Sequence, residues 1–363
     1  MFDCAIVGAG PAGSTLARII GKGRKVLLID RRNLDKDPVE SSRTKPCGGL
    51  LAPDAQKMIA RLGLGLPAHV IEGPQLFVVR TIDFRSGLER FYQRFYINMN
   101  REKFDRWLVS LVPDSVEKRF GHTFRSMEKN GRGVKIRFTC GGRTYEERAE
   151  MLIGADGARS LVRRFISGKP KPAAREYFAI QEWFRQDHAQ PYFSVIFDRE
   201  ITDFYSWTIP KGNFIIVGSA LVPGKGAHGK FEILKERLKH YGYVLEKPYK
   251  REGAYLLRPG MFGPINAGMD RVLLIGEAAG LISPSSAEGL SYAFRSAEIA
   301  SGILGKGIEG SFVKYRRALN PLRANIFLKS LKSPFMYNQI LRCLVMLSGI
   351  QHIEVDQQNQ NFG

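Results

Sequence analysis

The hydrophobic positions fall into two rhythms. Phe2-Asp3-Cys4-Ala5-Ile6-Val7 and Lys25-Val26-Leu27-Leu28-Ile29-Asp30 are short, almost unbroken apolar runs. Runs of that length and density read as strands buried on both faces. Met151-Leu152-Ile153-Gly154 and Val272-Leu273-Leu274-Ile275 repeat the type. Between the first two runs, residues 14–21 carry helical spacing. In the other rhythm, residues 75–84 and 90–98 alternate apolar and polar side chains, as strands with one wet face do. The block 176–258 is strand-rich, with Tyr192-Phe193-Ser194-Val195-Ile196-Phe197 as one member. Residues 231–241 and 290–304 return to helical spacing, and the pattern from 309 onward is helical. The expected fold is α/β, with a doubly wound sheet, a second, largely antiparallel sheet, and helices toward the C-terminus.

The first apolar run ends in Gly8-Ala9-Gly10-Pro11-Ala12-Gly13, and Asp30 closes the second run 22 residues after Gly8. A GxGxxG alone says little. Set between a strand and a helix, with an acid at that distance, it is a dinucleotide fingerprint. Gly8 allows the tight turn, Gly10 lets backbone approach a pyrophosphate, and Gly13 lets helix and strand pack closely. The helix N-terminus offers free N–H groups and partial positive charge to phosphates. Asp30 is the expected acceptor for a ribose. Two further strands end in turns with acids, Gly154-Ala155-Asp156-Gly157 and Gly276-Glu277-Ala278-Ala279-Gly280. Strand C-termini line the ligand crevice of a doubly wound sheet, so these ends are expected to converge on one extended ligand.

Composition narrows the classes. At 363 residues, 44% hydrophobic and 11% aromatic, the chain builds a sizeable core and is not disordered. Cys4, Cys47, Cys140 and Cys343 show no zinc spacing and are too few for a disulfide scaffold. No metal site is expected, and the six histidines show no catalytic pairing. Met1-Phe2-Asp3-Cys4 lacks a basic leader and no run of 18 apolar residues exists, so the expected location is the cytoplasm. The 55 Lys+Arg outnumber 35 Asp+Glu, a net charge of +20. Such an excess suits an anionic partner. The cations are dispersed and no nucleic-acid-binding motif stands out, so nucleic acid is not expected.

The three strand-end motifs together resemble the glutathione-reductase-like FAD-dependent oxidoreductases, in particular the aromatic hydroxylase type, over roughly residues 1–305. The resemblance implies FAD held extended across the sheet, with Asp156 and Glu277 facing it. That family usually carries Asp where Glu277 stands. It implies that Gly289 and Leu290 open a helix against the flavin pyrimidine edge. Arg101, at the start of Arg101-Glu102-Lys103-Phe104-Asp105-Arg106-Trp107-Leu108, would contact FAD phosphate or ribityl oxygens.

Lys45-Pro46-Cys47-Gly48-Gly49-Leu50-Leu51 resembles the Cys-Gly-Gly loop of the geranylgeranyl reductase family, which borders the isoalloxazine ring. Tyr205-Ser206-Trp207-Thr208-Ile209-Pro210-Lys211 resembles that family's Tyr-x-Trp-x-Phe-Pro-Lys segment, with Ile209 in place of Phe. The resemblance implies that Lys45, Cys47, Gly48 and Leu50 touch the cofactor. It also implies that Tyr205, Trp207 and Pro210 wall a cavity for an isoprenoid lipid, whose C=C bonds the enzyme reduces. Cys47 is the candidate catalytic residue; the alternative is a small side chain packing on the ring. Tyr205 and Trp207 also read as core residues of an amphipathic strand.

The FAD domain is expected to be discontinuous, 1–72, 101–170 and 258–305, with a cap of 73–100 and 171–257 and a helical segment of 306–363. No second GxGxxG is present, so the expected electron donor is NAD(P)H touching the flavin transiently, or a reduced electron-transfer protein. The basic, apolar C-terminal helices read either as a bundle packed on the FAD domain or as a contact with an anionic membrane's inner face. Two other functional readings stand beside the reductase. One is a flavin monooxygenase or halogenase acting on an aromatic substrate; the other is a flavin-binding sensor without turnover.

Overall fold

A computed structural model describes residues 1–35, 46–131, 133–167, 174–186, 191–260 and 265–356. The unbroken apolar runs form the centre of one sheet, ordered Gly268–Met269, Val272–Leu274, Arg143–Gly154, Phe2–Val7, Val26–Asp30, Glu117–Phe120. The five strands from Val272–Leu274 to Glu117–Phe120 are parallel. Cys4, Ala5, Ile6, Leu27, Leu28, Leu152 and Leu273 have no exposed surface. Burial on both faces is why these strands show no alternation. Thr123–Asn130 and Gly133–Cys140 add an antiparallel meander to the long strand Arg143–Gly154.

Helix Pro11–Ile20 lies on this sheet against helix Leu290–Leu304. The first helix begins three residues before the expected 14. Pro11 takes its first position, where the missing N–H costs nothing.

The alternating segments form a second sheet, ordered Lys250–Pro259, Ala174–Arg185, Phe214–Leu221, Ser206–Lys211, Tyr192–Phe197, Leu76–Asp83, Leu88–Asn98, Leu50–Leu51. It is antiparallel except where Tyr192–Phe197 runs parallel to Leu76–Asp83. Helix Ala227–His240 covers part of it through Phe231, Leu234 and Leu238, all fully buried at helical spacing. Two expected boundaries shift. The division at 257/258 falls inside a strand, because Arg258 pairs with Arg175 in the ladder. Leu50–Leu51, expected in the FAD domain, pairs with Asn98 and Ile97 of the second sheet.

Three helices follow, Ser311–Ala318, Asn320–Tyr337 and Gln339–Leu347. Tyr315 is fully buried and its hydroxyl donates to Leu274 O, fixing the first helix to the parallel sheet. The last is fixed to the second sheet by Arg342, which pairs with the fully buried Asp83 at 2.6 Å. The C-terminal segment therefore bridges both sheets.

Candidate functional site

The parallel strands end side by side. Gly8 N donates to Ile29 O, Ala155 N to Val7 O, and Ile275 N to Gly154 O. These bonds gather the three motif turns at one edge. Gly8 sits at φ +106°, and a Cβ there would lie 2.5 Å from Ala155 O. A Cβ on Gly13 would stand 1.8 Å from Gly8 O, so helix and turn touch backbone to backbone. Gly10 differs: a Cβ there would meet nothing within 4 Å. The helix behind it has no side-chain cap and no acid in its first turn. Open space before uncapped N–H groups is what an anionic pyrophosphate requires, and FAD fits this cradle.

Asp30 serves that cradle in a way the fingerprint alone did not indicate. Its carboxylate receives Ala9 N at 2.7 Å and three hydrogen bonds from Arg32, through N, Nε and Nη2. A carboxylate has about four acceptor positions, and here the protein fills them. Asp30 therefore orders the glycine turn.

Arg32 continues to Asp105 at 2.7 Å, and Asp105 to Arg101 at 2.7 Å. The result is an alternating row, Asp30, Arg32, Asp105, Arg101. Burial works against the charge on Asp105, but Arg101 and Arg32 outweigh it and hold the carboxyl below its usual range. Burial also opposes the charge on Arg101, and Asp105 and then Cys47 more than restore it. Cys47 lies close enough to Arg101 to act on its charge, so the expected cofactor cation and the expected catalytic thiol are neighbours.

The Cys47-Gly48-Gly49 loop is clamped from the other side by the second sheet. A Cβ on Gly48 would lie 2.4 Å from Ile209 Cδ1. Gly49 has φ +64°, and a Cβ there would meet Met99 O at 2.2 Å. Leu50 continues into the strand. Beneath the loop lies Lys211, which is 4% exposed. Its Nζ donates to Gly49 O at 3.0 Å, to Met99 O at 2.8 Å, and to Asn98 Oδ1. Three acceptors match the three donors of an ammonium. Burial pulls in the opposite direction and brings its pKa down to about 7. Asn98 is oriented in turn by donating to Pro74 O and Pro210 O. Pro210 thus contributes its carbonyl to the loop support.

Tyr205 and Trp207 stand on the same side. Tyr205 Oη donates to Ser286 O at 2.8 Å. Burial pushes its phenol up, with smaller contributions from Tyr96 and Cys47. Trp207, 8% exposed, packs against Gly218 within a core of Leu76, Tyr177, Phe204, Ile209 and Ile216. Its indole N–H is buried without a hydrogen-bond partner among the described residues. Trp207, Tyr205, Phe204 and Tyr337 form a chain of ring contacts at 5.7, 4.7 and 5.2 Å. Core and cavity-wall readings therefore meet in one cluster.

Asp156 caps a helix within the protein. Its carboxylate accepts from Ser160 Oγ and from Leu161 N at 2.7 Å, capping helix Leu161–Ser167. Glu277 is half-buried and accepts from Leu257 N at 3.3 Å. Gly289 precedes helix Leu290–Leu304, as expected, but Glu288 reaches over it to Ser291 N at 2.7 Å. Burial raises the Glu288 carboxyl above its usual range. Lys45 lies outside the described residues. Among the described residues no cluster of metal-ligating side chains occurs.

Arg32, Asp105, Lys211 and Glu288 were not among the expected site residues. Asp105 and Lys211 do fall inside the matched segments, which was the available signal.

Comparison with known proteins gives the site its family. A model described as an FAD binding domain matches residues 1–180. Protein CbrA of Escherichia coli strain HS is 43% identical over 352 residues, covering 97% of this chain and 94% of the relative. The chain belongs to the CbrA family. It is an FAD-dependent oxidoreductase with the aromatic-hydroxylase-type fold. A geranylgeranyl bacteriochlorophyll reductase-like protein from Thermoplasma acidophilum shares that fold. Its TM-score is 0.79 at 20% identity, over 95% of this chain and 90% of that one. PqsL of Pseudomonas aeruginosa, a probable FAD-dependent monooxygenase, superposes at TM-score 0.67 and 18% identity, over 96% and 99%. One fold thus carries reductase-like and monooxygenase-like neighbours of this CbrA-family chain. What separates them has to be sought in the loop and wall over the flavin.

Proposed function

We propose that this chain reduces C=C bonds of a polyprenyl lipid. The observation that carries the reading is the placement of Cys47. Its loop lies between Arg101 of the FAD domain and Tyr205 of the cap, from which the ring contacts run on to Phe204 and to Tyr337 of the C-terminal helices. Bound FAD supplies the hydride when reduced. The chain's own residues do the rest. The Gly8–Gly13 turn and Arg101 bind the dinucleotide. Lys211 and Asn98 hold the Cys-Gly-Gly loop against it. The aromatic side chains offer apolar area to an isoprenoid and exclude water. Cys47 gives the proton that completes saturation of the second carbon. Electrons arrive from NAD(P)H or a reduced electron-transfer protein.

The test is anaerobic incubation of the reduced holoprotein with polyprenyl alcohols and phosphates, read by mass spectrometry. A gain of two hydrogens per reduced bond is expected. Cys47→Ser is expected to keep FAD and to lose at least tenfold in rate. No mass gain with any polyprenyl compound overturns the reading. NAD(P)H-driven incorporation of oxygen or halide into an aromatic compound would replace it with the monooxygenase or halogenase reading.

A further inference from the structure

The last two helices each turn an apolar stripe outward. A helix on a soluble protein turns its apolar stripe inward. Helix Gln339–Leu347 turns Arg342 inward, 5% exposed and paired with Asp83, together with Met346. Its outward face is Ile340, Leu344 and Leu347, at 72%, 59% and 62% exposure. At 100° per residue these three fall within about 60° of arc, opposite Arg342. Helix Asn320–Tyr337 is apolar on both faces. Leu322, Ile326 and Ser330 face in, while Leu328, Leu331 and Phe335 are 58%, 44% and 53% exposed. The two helices pack against each other, so the stripes belong to one region of surface.

Charge identifies what this face suits. Between Glu309 and Glu354 the sequence contains no acid, but it contains Lys314, Arg316, Arg317, Arg323, Lys329, Lys332 and Arg342. Lys314, Arg316, Arg317 and Lys332 are exposed. Large hydrophobes beside the exposed Lys332 and the partly exposed Arg323, in a stretch of sequence without acids on a chain of net charge +20, complement an anionic lipid surface. No helix among the described residues is long and apolar enough to cross a membrane, so the fit is to lying on one.

We propose that helices Asn320–Tyr337 and Gln339–Leu347 dock this protein on an anionic phospholipid bilayer. Leu328, Leu331, Phe335, Ile340, Leu344 and Leu347 enter the headgroup boundary, and the flanking cations contact lipid phosphates. The same element reaches the site. Tyr337 closes the first helix, donates to Ser285 O and packs on Phe204, while Tyr205 donates to the adjoining Ser286 O. Docking would therefore bring the aromatic wall over Cys47 close to the bilayer. The docking itself does not depend on which reaction the site performs.

The experiment is flotation of the FAD-loaded full chain with vesicles of phosphatidylglycerol and phosphatidylcholine, against pure phosphatidylcholine, at low and high salt. Binding to the anionic vesicles is expected, falling several-fold in high salt as the charge attraction is screened. The double variant Leu344→Glu, Leu347→Glu changes only outward-facing side chains. It is expected to retain FAD and its melting temperature and to lose at least tenfold in partitioning. Absence of binding to anionic vesicles overturns the proposal, and so does equal binding by the variant. A dimer in sedimentation that the same variant dissolves, without vesicle binding, would make the face an interface between copies and also overturn it.

Discussion

Replacing Asp105 by Asn tests the charge row that joins the glycine cradle to Cys47. The isostere keeps the volume and removes one negative charge at a position 1% exposed. Arg32 would keep Asp30, whose carboxylate takes three of its hydrogen bonds. Arg101 would lose the carboxylate it pairs with. Removing one partner of a buried pair costs about 3–5 kcal/mol. Because Arg32 stays paired, the lower end applies, about 3 kcal/mol. For a chain of 363 residues, unfolding entropy near 2.1 cal/mol/K per residue makes this roughly 4 °C in a single cooperative melt.

The assay is thermal unfolding of wild type and variant, each with and without FAD. In the FAD-loaded protein the pyrophosphate supplies the counter-charge that Arg101 has lost, so the difference should shrink there. A full shift without FAD and a smaller one with it is the expected pattern. Equal shifts in both forms would refute a cofactor role for Arg101, and no shift in either would refute the charge row. The pH arm has a fixed sign. The Asp105 carboxyl is held low in the folded state, so its stabilisation is complete above the unfolded value near pH 4. It is lost as pH falls through the folded value, and the gap between wild type and variant should close there.

Three further outcomes are expected. Gly13→Ala should yield protein with little bound flavin, by the flavin-to-protein absorbance ratio, because its Cβ would lie 1.8 Å from Gly8 O and backbone cannot give way. Lys211→Met should flatten the alkaline side of the stability profile. Burial lowers the folded pKa to about 7 against about 10.4 unfolded, so wild type should gain roughly 4–5 kcal/mol between those pH values in denaturant titrations, and the variant should not. Asp83→Asn should leave Arg342 buried without its counter-ion and cost about 3 kcal/mol. Limited proteolysis should then cut first around helix Gln339–Leu347, and uniform digestion would count against that pairing.

The parts that could be read from sequence are those whose cause is local. A strand buried on both faces must be apolar throughout, and Gly8 and Gly13 answer contacts between backbone segments adjacent in the motif. Charges obey no such local rule. Arg32 lies 73 residues from Asp105, and Lys211 lies 162 from Gly49. In a linear chain each looks like a solvated cation, and only the meeting of two sheets turns them into supports for the Cys47 loop. Asp30 and Asp156 show the same limit from the other side. The motif predicted carboxylates at the strand ends, and they are there, but whether each faces a ligand or a protein donor depends on neighbours the spacing does not encode.

The C-terminal helices sharpen this. A helical wheel separates an apolar stripe from a cationic one but says nothing about which turns inward. Arg342 is the residue that docks on Asp83, and the apolar stripe opposite it is the one left outside. The orientation is set by one buried ion pair 259 residues apart in sequence. Replacing the partner Asp83 should therefore loosen the helix, whereas Leu344 and Leu347 can be changed without loosening it.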